Sequence, residues 1–387
     1  MGNPVKEQQS KIIVSSLFFA SRLIILLSLP LEGVRSYGDF WNFYYLAGLG
    51  RPFRDIWIEF PPLFPFLSRG IYLLVGGREH AYIYLSVLVF SLIQAATIYL
   101  FQCLAEEIWG KDEGLQRTFI YALLILGLFY GWAYFDCLAV FLALLGLYLA
   151  VKSRPVAAGI VLGLGGLVKW FPLLVLPSLW KWLEAKKATR VVLSALLVLL
   201  IVWGALYAAS PSLTKASILS QGAKGSWESI WALIDGNLQT GNFNPDASRL
   251  DPTTATLPAG NPALIPPWIT LLFLGGFGLY LLWKAQLQAL FQVSAFIGLT
   301  LVLFFLWSPG YSPQWVLYLI PFILLSFEKK RSILLGLVIV LVNLLEWPLL
   351  LSRGMFQFLP GLVILRTFTY LIVGLWFAEL VQKVGDR

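Results

Sequence analysis

The sequence predicts an all-α polytopic membrane protein, and three observations carry the prediction. Hydrophobic residues make up 59% of the 387 residues and charged residues 12%, about half the charged share of a soluble domain. The apolar stretches recur at helix-like length, without the alternating segments of about ten residues that a membrane barrel requires. Most of the Lys and Arg behind the net charge of +8 sit in short segments between those stretches, which is the positive-inside pattern and not a face for nucleic acid. Cys103 and Cys137 both fall inside apolar runs and are expected as small buried residues, so no disulfide framework is predicted. One histidine, His80, makes no histidine-rich metal site.

The chain opens with a polar decapeptide and Lys11 before an apolar run over residues 12–31. That run is long, contains Arg22 and ends in LSLPLEG without a small-x-small cleavage site, so it is expected as a retained first helix. Next comes SYGDFWNFYYLAGLGRPFRDIWIEFPPLFPF over 36–66, too polar to span a bilayer and too aromatic to float in water. It is predicted to lie along the membrane surface within a first external loop over 32–80. Its last part runs into a short apolar piece at 63–75 with Pro61-Pro62 before it and Arg69 inside. A span needs about twenty apolar residues, so this piece dips into the surface without crossing.

Further apolar runs lie at 81–104, 117–131, 133–151, 155–168, 171–183, 191–209, 263–283, 287–306, 314–327, 332–350 and 360–382. With the first, they predict about twelve transmembrane helices in one domain over 1–387, the short ones shielded by neighbours. If the N-terminus is cytoplasmic and 63–75 does not cross, the basic loops fall on one face. These carry Lys111 and Arg117, Lys152 and Arg154, Lys181 to Arg190, Lys284, Lys329 to Arg331, and the tail with Lys383 and Arg387. The Asp39 loop is then external, together with the 129–136 turn, Lys169, a second large loop over 210–262, the WSPGYSPQW turn and the 346–358 connection. Within the second loop, Trp227, Ile230, Trp231 and Ile234 have helical spacing, which predicts a short helix lying in the interface. The loop itself is expected as a lid or acceptor platform, or else as an unstructured connector. Short loops and the lack of a C-terminal retrieval signal point to a prokaryotic plasma membrane.

The polar residues gathered on the external face suit chemistry on a sugar carried by a lipid phosphate: carboxylates, cations and flat rings. Transfer to a hydroxyl needs a general base, and the departing phosphate needs cationic donors. Asp39 is the expected base, because Gly38 leaves the backbone before it free to turn; the alternative is a plain cap on a helix starting at Phe40. Glu59, ahead of Phe60, Pro61 and Pro62, is held extended and is expected to bind sugar hydroxyls or to hold an arginine such as Arg54. Asp136, at the mouth of an apolar run, implies a wet cavity. Lys169, in GLGGLVKWFPLLVLP, either snorkels or binds the carrier phosphate, with the glycines at 163–166 allowing close helix packing behind it. Arg353 and Arg366 are weaker phosphate candidates, and Arg22 is expected to be paired within the bundle. Tyr311 and Gln314 offer a ring and an amide to a sugar, or belong to an interfacial aromatic belt.

Taken in order, Asp39, the run from Gly48 to Asp55, EFPPL at 59–63, the Lys169 segment and SPGYSPQW at 308–315 resemble the GT-C glycosyltransferases. The resemblance is closest to the polyprenol-phosphate-mannose-dependent mannosyltransferases, the branch that includes bacterial integral-membrane mannosyltransferases and the first GPI mannosyltransferase. It covers most of the chain. It implies a first external loop with amphipathic helices, Asp39 as base, and an inverting transfer without a nucleotide sugar. Glu59, Arg54, Asp136, Lys169, Tyr311 and Gln314 are then expected around the donor and the lipid or glycan acceptor. Many relatives carry paired acids in this loop, whereas Asp39 is followed by Phe40 and Trp41; one carboxylate makes a poor divalent site, so neither a metal nor a cofactor is expected.

A carrier or flippase for lipid-linked sugars is the alternative. It calls for charges threaded through the bundle centre and repeat symmetry, and no inverted repeat is visible in the hydropathy. A structural scaffold leaves the polar aromatics of the external loops unexplained.

Overall fold

The computed structural model describes residues 4–36, 38–128, 130–238 and 241–382. Lys383 and Arg387 of the basic tail, and Phe129 at the start of the turn expected to be external, lie outside the described residues. The described residues form helices and turns, with one isolated bridge between Trp227 and Gly310 in place of any sheet. This is an all-α integral membrane protein. Among the described residues, seven helices are long and apolar enough to cross a bilayer: Gln8–Ser28, Glu79–Trp109, Ala185–Ala209, Pro267–Lys284, Leu290–Trp307, Lys329–Arg353 and Phe356–Gln382. Leu63–Leu74, Asp136–Val151, Pro155–Gly166 and Pro313–Ser326 are apolar but shorter. At 12 residues, Leu63–Leu74 is about 18 Å long, well short of the ~30 Å hydrocarbon layer.

The chain divides into two compact units. The first comprises Met1–Asp55, Phe60–Val175 and Thr189–Ala205. Its inner helices bury a charged group at Arg22 and give it partners. Arg22, fully buried, donates to the carbonyls of Ile125 and Leu126 and to Gln94 Oε1. It therefore caps the C-terminal end of Lys111–Leu126, where exposed carbonyls and the helix dipole favour a cation. Gly159 and Gly163, four residues apart, face Val191 and Ala195 so closely that a Cβ would stand 2.2 Å and 2.8 Å from their carbonyl oxygens. Small residues at this spacing let the two helix backbones meet.

The first loop belongs mainly to this unit and is built from two short helices, Phe40–Leu49 and Leu63–Leu74. Phe40, Phe43, Leu46 and Ala47 are buried on one side of the former, while Trp41 and Tyr45 are about half exposed on the other. The faces therefore separate as on a surface helix. Tyr44 donates to Gly77 O at 2.7 Å, Ser68 and Tyr82 share a 2.6 Å hydrogen bond, and Arg69 donates to Ala47 O. Between the helices the PFRD turn places Phe53 at φ 62°, a conformation uncommon outside glycine. Its buried ring packs against Phe66 and Trp203, and Arg51 grips Asp55 through its backbone and side chain.

The second unit comprises Ile56–Glu59, Leu176–Ala188 and Leu206–Arg387. The described part of its 210–262 loop is folded, not a loose connector: Pro211–Leu219, Ile230–Asp235 and a 3-10 turn at Pro252–Thr256 carry it. Ile56–Glu59 is stitched into that loop. Trp57 donates its indole N–H to Ser248 O at 2.7 Å, and the Ile58 N–H bonds Ser217 Oγ at 3.0 Å.

The expected interfacial helix at Trp227–Ile234 is only six residues, Ile230–Asp235, and its aromatics are used inside the protein. Trp231 Nε1 donates to Leu306 O, and the Trp227 ring covers Gly310, where a Cβ would stand 2.4 Å from it. Trp227 therefore fills a contact that only glycine permits, and Ile234 alone of the four is exposed.

Candidate functional site

In the first unit the turn before Phe40–Leu49 places Asp39 at the N-cap position, exposed, without a side-chain capping bond. Its backbone carbonyl accepts from Phe43 N at 2.8 Å. Gly38 is pressed onto Ala133: a Cβ there would stand 2.6 Å from Ala133 Cβ and 2.8 Å from its carbonyl oxygen. The Asp39 turn thus abuts the segment that leads into Asp136–Val151.

Asp136, the first residue of that helix, is fully buried, and Lys169 Nζ lies 2.7 Å from its Oδ1. Among the described residues, Asp136 Oδ2 has no hydrogen-bond partner. Lys169 keeps 17% of its side chain exposed; its ammonium also sits 5.0 Å from the centroid of Phe135, within cation–π reach. Phe135 stacks on Phe64 at 3.8 Å and meets Phe43 edge-on at 5.7 Å. The Leu63 N–H bonds Leu167 O at 2.8 Å, joining the end of EFPPL to the Lys169 segment. A bed of four phenylalanines, Phe43, Phe60, Phe64 and Phe135, therefore links Asp39 to the Asp136/Lys169 pair. This local assembly combines an exposed carboxylate, a partly exposed cation and a largely buried aromatic support.

The other expected residues fall elsewhere. Arg54 is exposed in the PFRD turn, and Glu59 is held by Arg249 instead: Arg249 Nη1 lies 2.6 Å from Glu59 Oε2, with the guanidinium over Trp57 and Phe243. Gln221 donates to the Glu59 carbonyl. Burial alone would push the Glu59 carboxyl up, but Arg249 and Lys224 outweigh it and hold it below the usual glutamate value. An arginine 190 positions away won over one five away because Arg54 sits on an exposed turn and Arg249 on the loop that wraps Trp57.

Tyr311 is buried and its polar end is already occupied, by Tyr370 OH at 2.6 Å and Asn343 Oδ1 at 3.1 Å. Its ring carries the Arg366 guanidinium at 3.7 Å, so neither face is open to a sugar. Burial, with Tyr370 alongside, holds its hydroxyl well above the ordinary tyrosine value. Gln314 is half-buried and keeps some access to solvent, as do Trp307, Pro309 and Ser312 of the same turn. Arg366 pairs with Glu346 and also donates to the Glu228 carbonyl, which removes it as a phosphate ligand.

The network of Glu228, Glu346, Arg366, Tyr311, Tyr370 and Asn343 was not foreseen. Glu346 and Arg366, 20 residues apart and each interrupting an apolar run, were its one visible signal. No protein-family model matches the chain, and no curated protein is similar to it.

Proposed function

We propose that the chain is an inverting glycosyltransferase of the GT-C kind. It moves a hexose, mannose by the resemblance, from a polyprenyl-phosphate carrier to a lipid-linked or glycan acceptor at the external face of a prokaryotic plasma membrane. Asp136–Val151, Pro155–Gly166 and Pro313–Ser326, together with Lys111–Leu126 and the 171–182 segment, all shielded by their neighbours, bring the crossings to about twelve. The observation that carries the proposal is the local assembly of the first unit: an exposed Asp39 on a turn fixed against Ala133, three residues before an Asp136 that holds Lys169.

In this reading the Asp39 carboxylate takes the proton of the acceptor hydroxyl as its oxygen attacks the anomeric carbon. The carrier phosphate leaves with the bonding electrons, and Lys169 stabilises the charge that builds on its oxygens. Attack opposite the leaving phosphate inverts the centre. Asp136 aims Lys169, and the largely buried phenylalanine bed holds that pair in place from behind. Arg54, exposed on the surface loop of the same unit, is a further contact for the carrier phosphate. Glu59 acts through Arg249, as part of the hold on the second loop. No metal takes part.

The carrier alternative gains one observation: Arg22, Glu346 and Arg366 are buried charges within apolar helices, as a transport pathway would have. Purified protein in vesicles, given radiolabelled polyprenyl-phosphate-mannose and membrane-extract acceptors, separates the two. Covalent labelled product is expected. Label crossing the bilayer without product would reject transfer in favour of transport.

A further inference from the structure

The segment 226–231 is stapled to the turn that follows Leu290–Trp307. Trp227 N–H donates to Pro309 O, Tyr311 N–H to Trp227 O at 2.9 Å, Ser229 Oγ to Pro309 O and Trp231 Nε1 to Leu306 O. Glu228, in the middle of this staple, is held at φ 49° with its side chain 4% exposed. A non-glycine residue in that conformation is strained and persists only where its surroundings insist on it.

What Glu228 meets is a second buried carboxylate. Glu346 lies in the π-helical turn Leu345–Leu350, which also contains Pro348; such turns are rare and concentrate at functional sites. From Leu359–Gln382 come Arg366, which binds the Glu346 carboxylate and the Glu228 backbone carbonyl, and Tyr370; from the turn comes Tyr311. The nearest charged groups on the segment itself face away: Lys224 lies over Trp227 and Phe243, and Asp235 accepts from Ser226. The guanidinium thus binds the Glu346 carboxylate but only the backbone carbonyl of Glu228, and each carboxylate keeps a buried oxygen, Oε2, without a hydrogen-bond partner among the described residues. With both ionised the enclosed cluster would carry a net charge of −1, which a low-dielectric site does not tolerate.

We propose that this cluster is a proton-binding site: Glu228 carries the proton in the docked state, and its ionisation releases the 226–231 segment from the 308–311 turn. Burial first, and the neighbouring Glu346 second, push the Glu228 carboxyl well above the usual glutamate range. The released segment takes the ordinary value near 4.3. Docking is therefore strongest below that pH and weakens up to tenfold per pH unit above it, until the docked acid itself ionises.

Hydrogen exchange on the full-length protein in nanodiscs tests this through the Trp227 and Tyr311 amides, read as protection factors across pH. Wild type is expected to lose protection as pH rises; Glu228→Gln, which keeps the shape and removes the ionisation, holds it level. Glu346→Gln, which removes the like charge, flattens the dependence. Infrared spectra at neutral pH should show a buried carboxylic acid carbonyl in wild type that Glu228→Gln lacks and Asp39→Asn retains. Protection independent of pH in wild type, the same pH dependence in Glu228→Gln, or no such band would overturn the proposal.

Discussion

Replacing Lys169 by methionine removes the ammonium paired with Asp136 while keeping most of the side-chain volume. Had both groups been exposed, the pair would be worth about 0–1 kcal/mol. Asp136 is fully buried and Lys169 only 17% exposed, so the relevant case is a buried pair broken on one side, which costs about 3–5 kcal/mol. At 1.4 kcal/mol per decade, that lowers the folded-to-unfolded ratio by roughly two to three and a half orders of magnitude. Reversible unfolding in mixed micelles measures it. Asp136→Asn made together with Lys169→Met removes the stranded charge and returns stability to within about 1 kcal/mol of wild type. Transfer activity separates the two roles of the lysine: if its ammonium stabilises the leaving phosphate, the double variant regains stability but not turnover. A Lys169→Met protein as stable as wild type, or a double variant no more stable than the single one, would refute the burial argument.

Arg249→Ala strands Glu59 in the same way, at a cost of about 3 kcal/mol at neutral pH. Because the pair holds the Glu59 carboxyl below its ordinary value, the pairing contributes fully above about pH 4.3 and is lost as pH falls through the lowered value. Unfolding curves of wild type and variant should therefore converge in acid. Gly38→Ala forces a methyl group to within 2.6 Å of Ala133 Cβ, an overpacking cost of about 1–3 kcal/mol. It should displace the Asp39 turn and reduce turnover well beyond the loss of folded protein; unchanged turnover per folded molecule would count against the contact. Transfer should persist in excess chelator, and a loss restored by a divalent ion would contradict the metal-free scheme.

Most helices were legible because an apolar run maps onto each: 81–104 onto Glu79–Trp109 and 191–209 onto Ala185–Ala209, for example, whereas 171–183 splits into a 3-10 turn and a seven-residue helix. Hydropathy reports burial in lipid or protein alike, so beyond the short 63–75 piece it did not show where helices break off within an apolar run. Asp136 and Lys169 were each visible as costly charges beside apolar runs, yet their pairing across 33 positions depends on helix packing that local sequence does not encode. The same applies more strongly to Glu59, whose nearest arginine in sequence is on an exposed turn. Tyr311 and Trp227 misled for a common reason. Aromatic residues with polar tips suit a sugar, an interface or a buried hydrogen bond equally well, and here Gly310 lets Trp227 close over the turn and bury it.

The carboxylate of residue 39 is the centre of the account, and its exposure makes the test clean. Turnover of purified Asp39→Asn with radiolabelled polyprenyl-phosphate-mannose should fall by about 10²-fold or more, with melting behaviour unchanged and Asp39→Glu retaining part of the rate. Near-normal transfer by folded Asp39→Asn would contradict it.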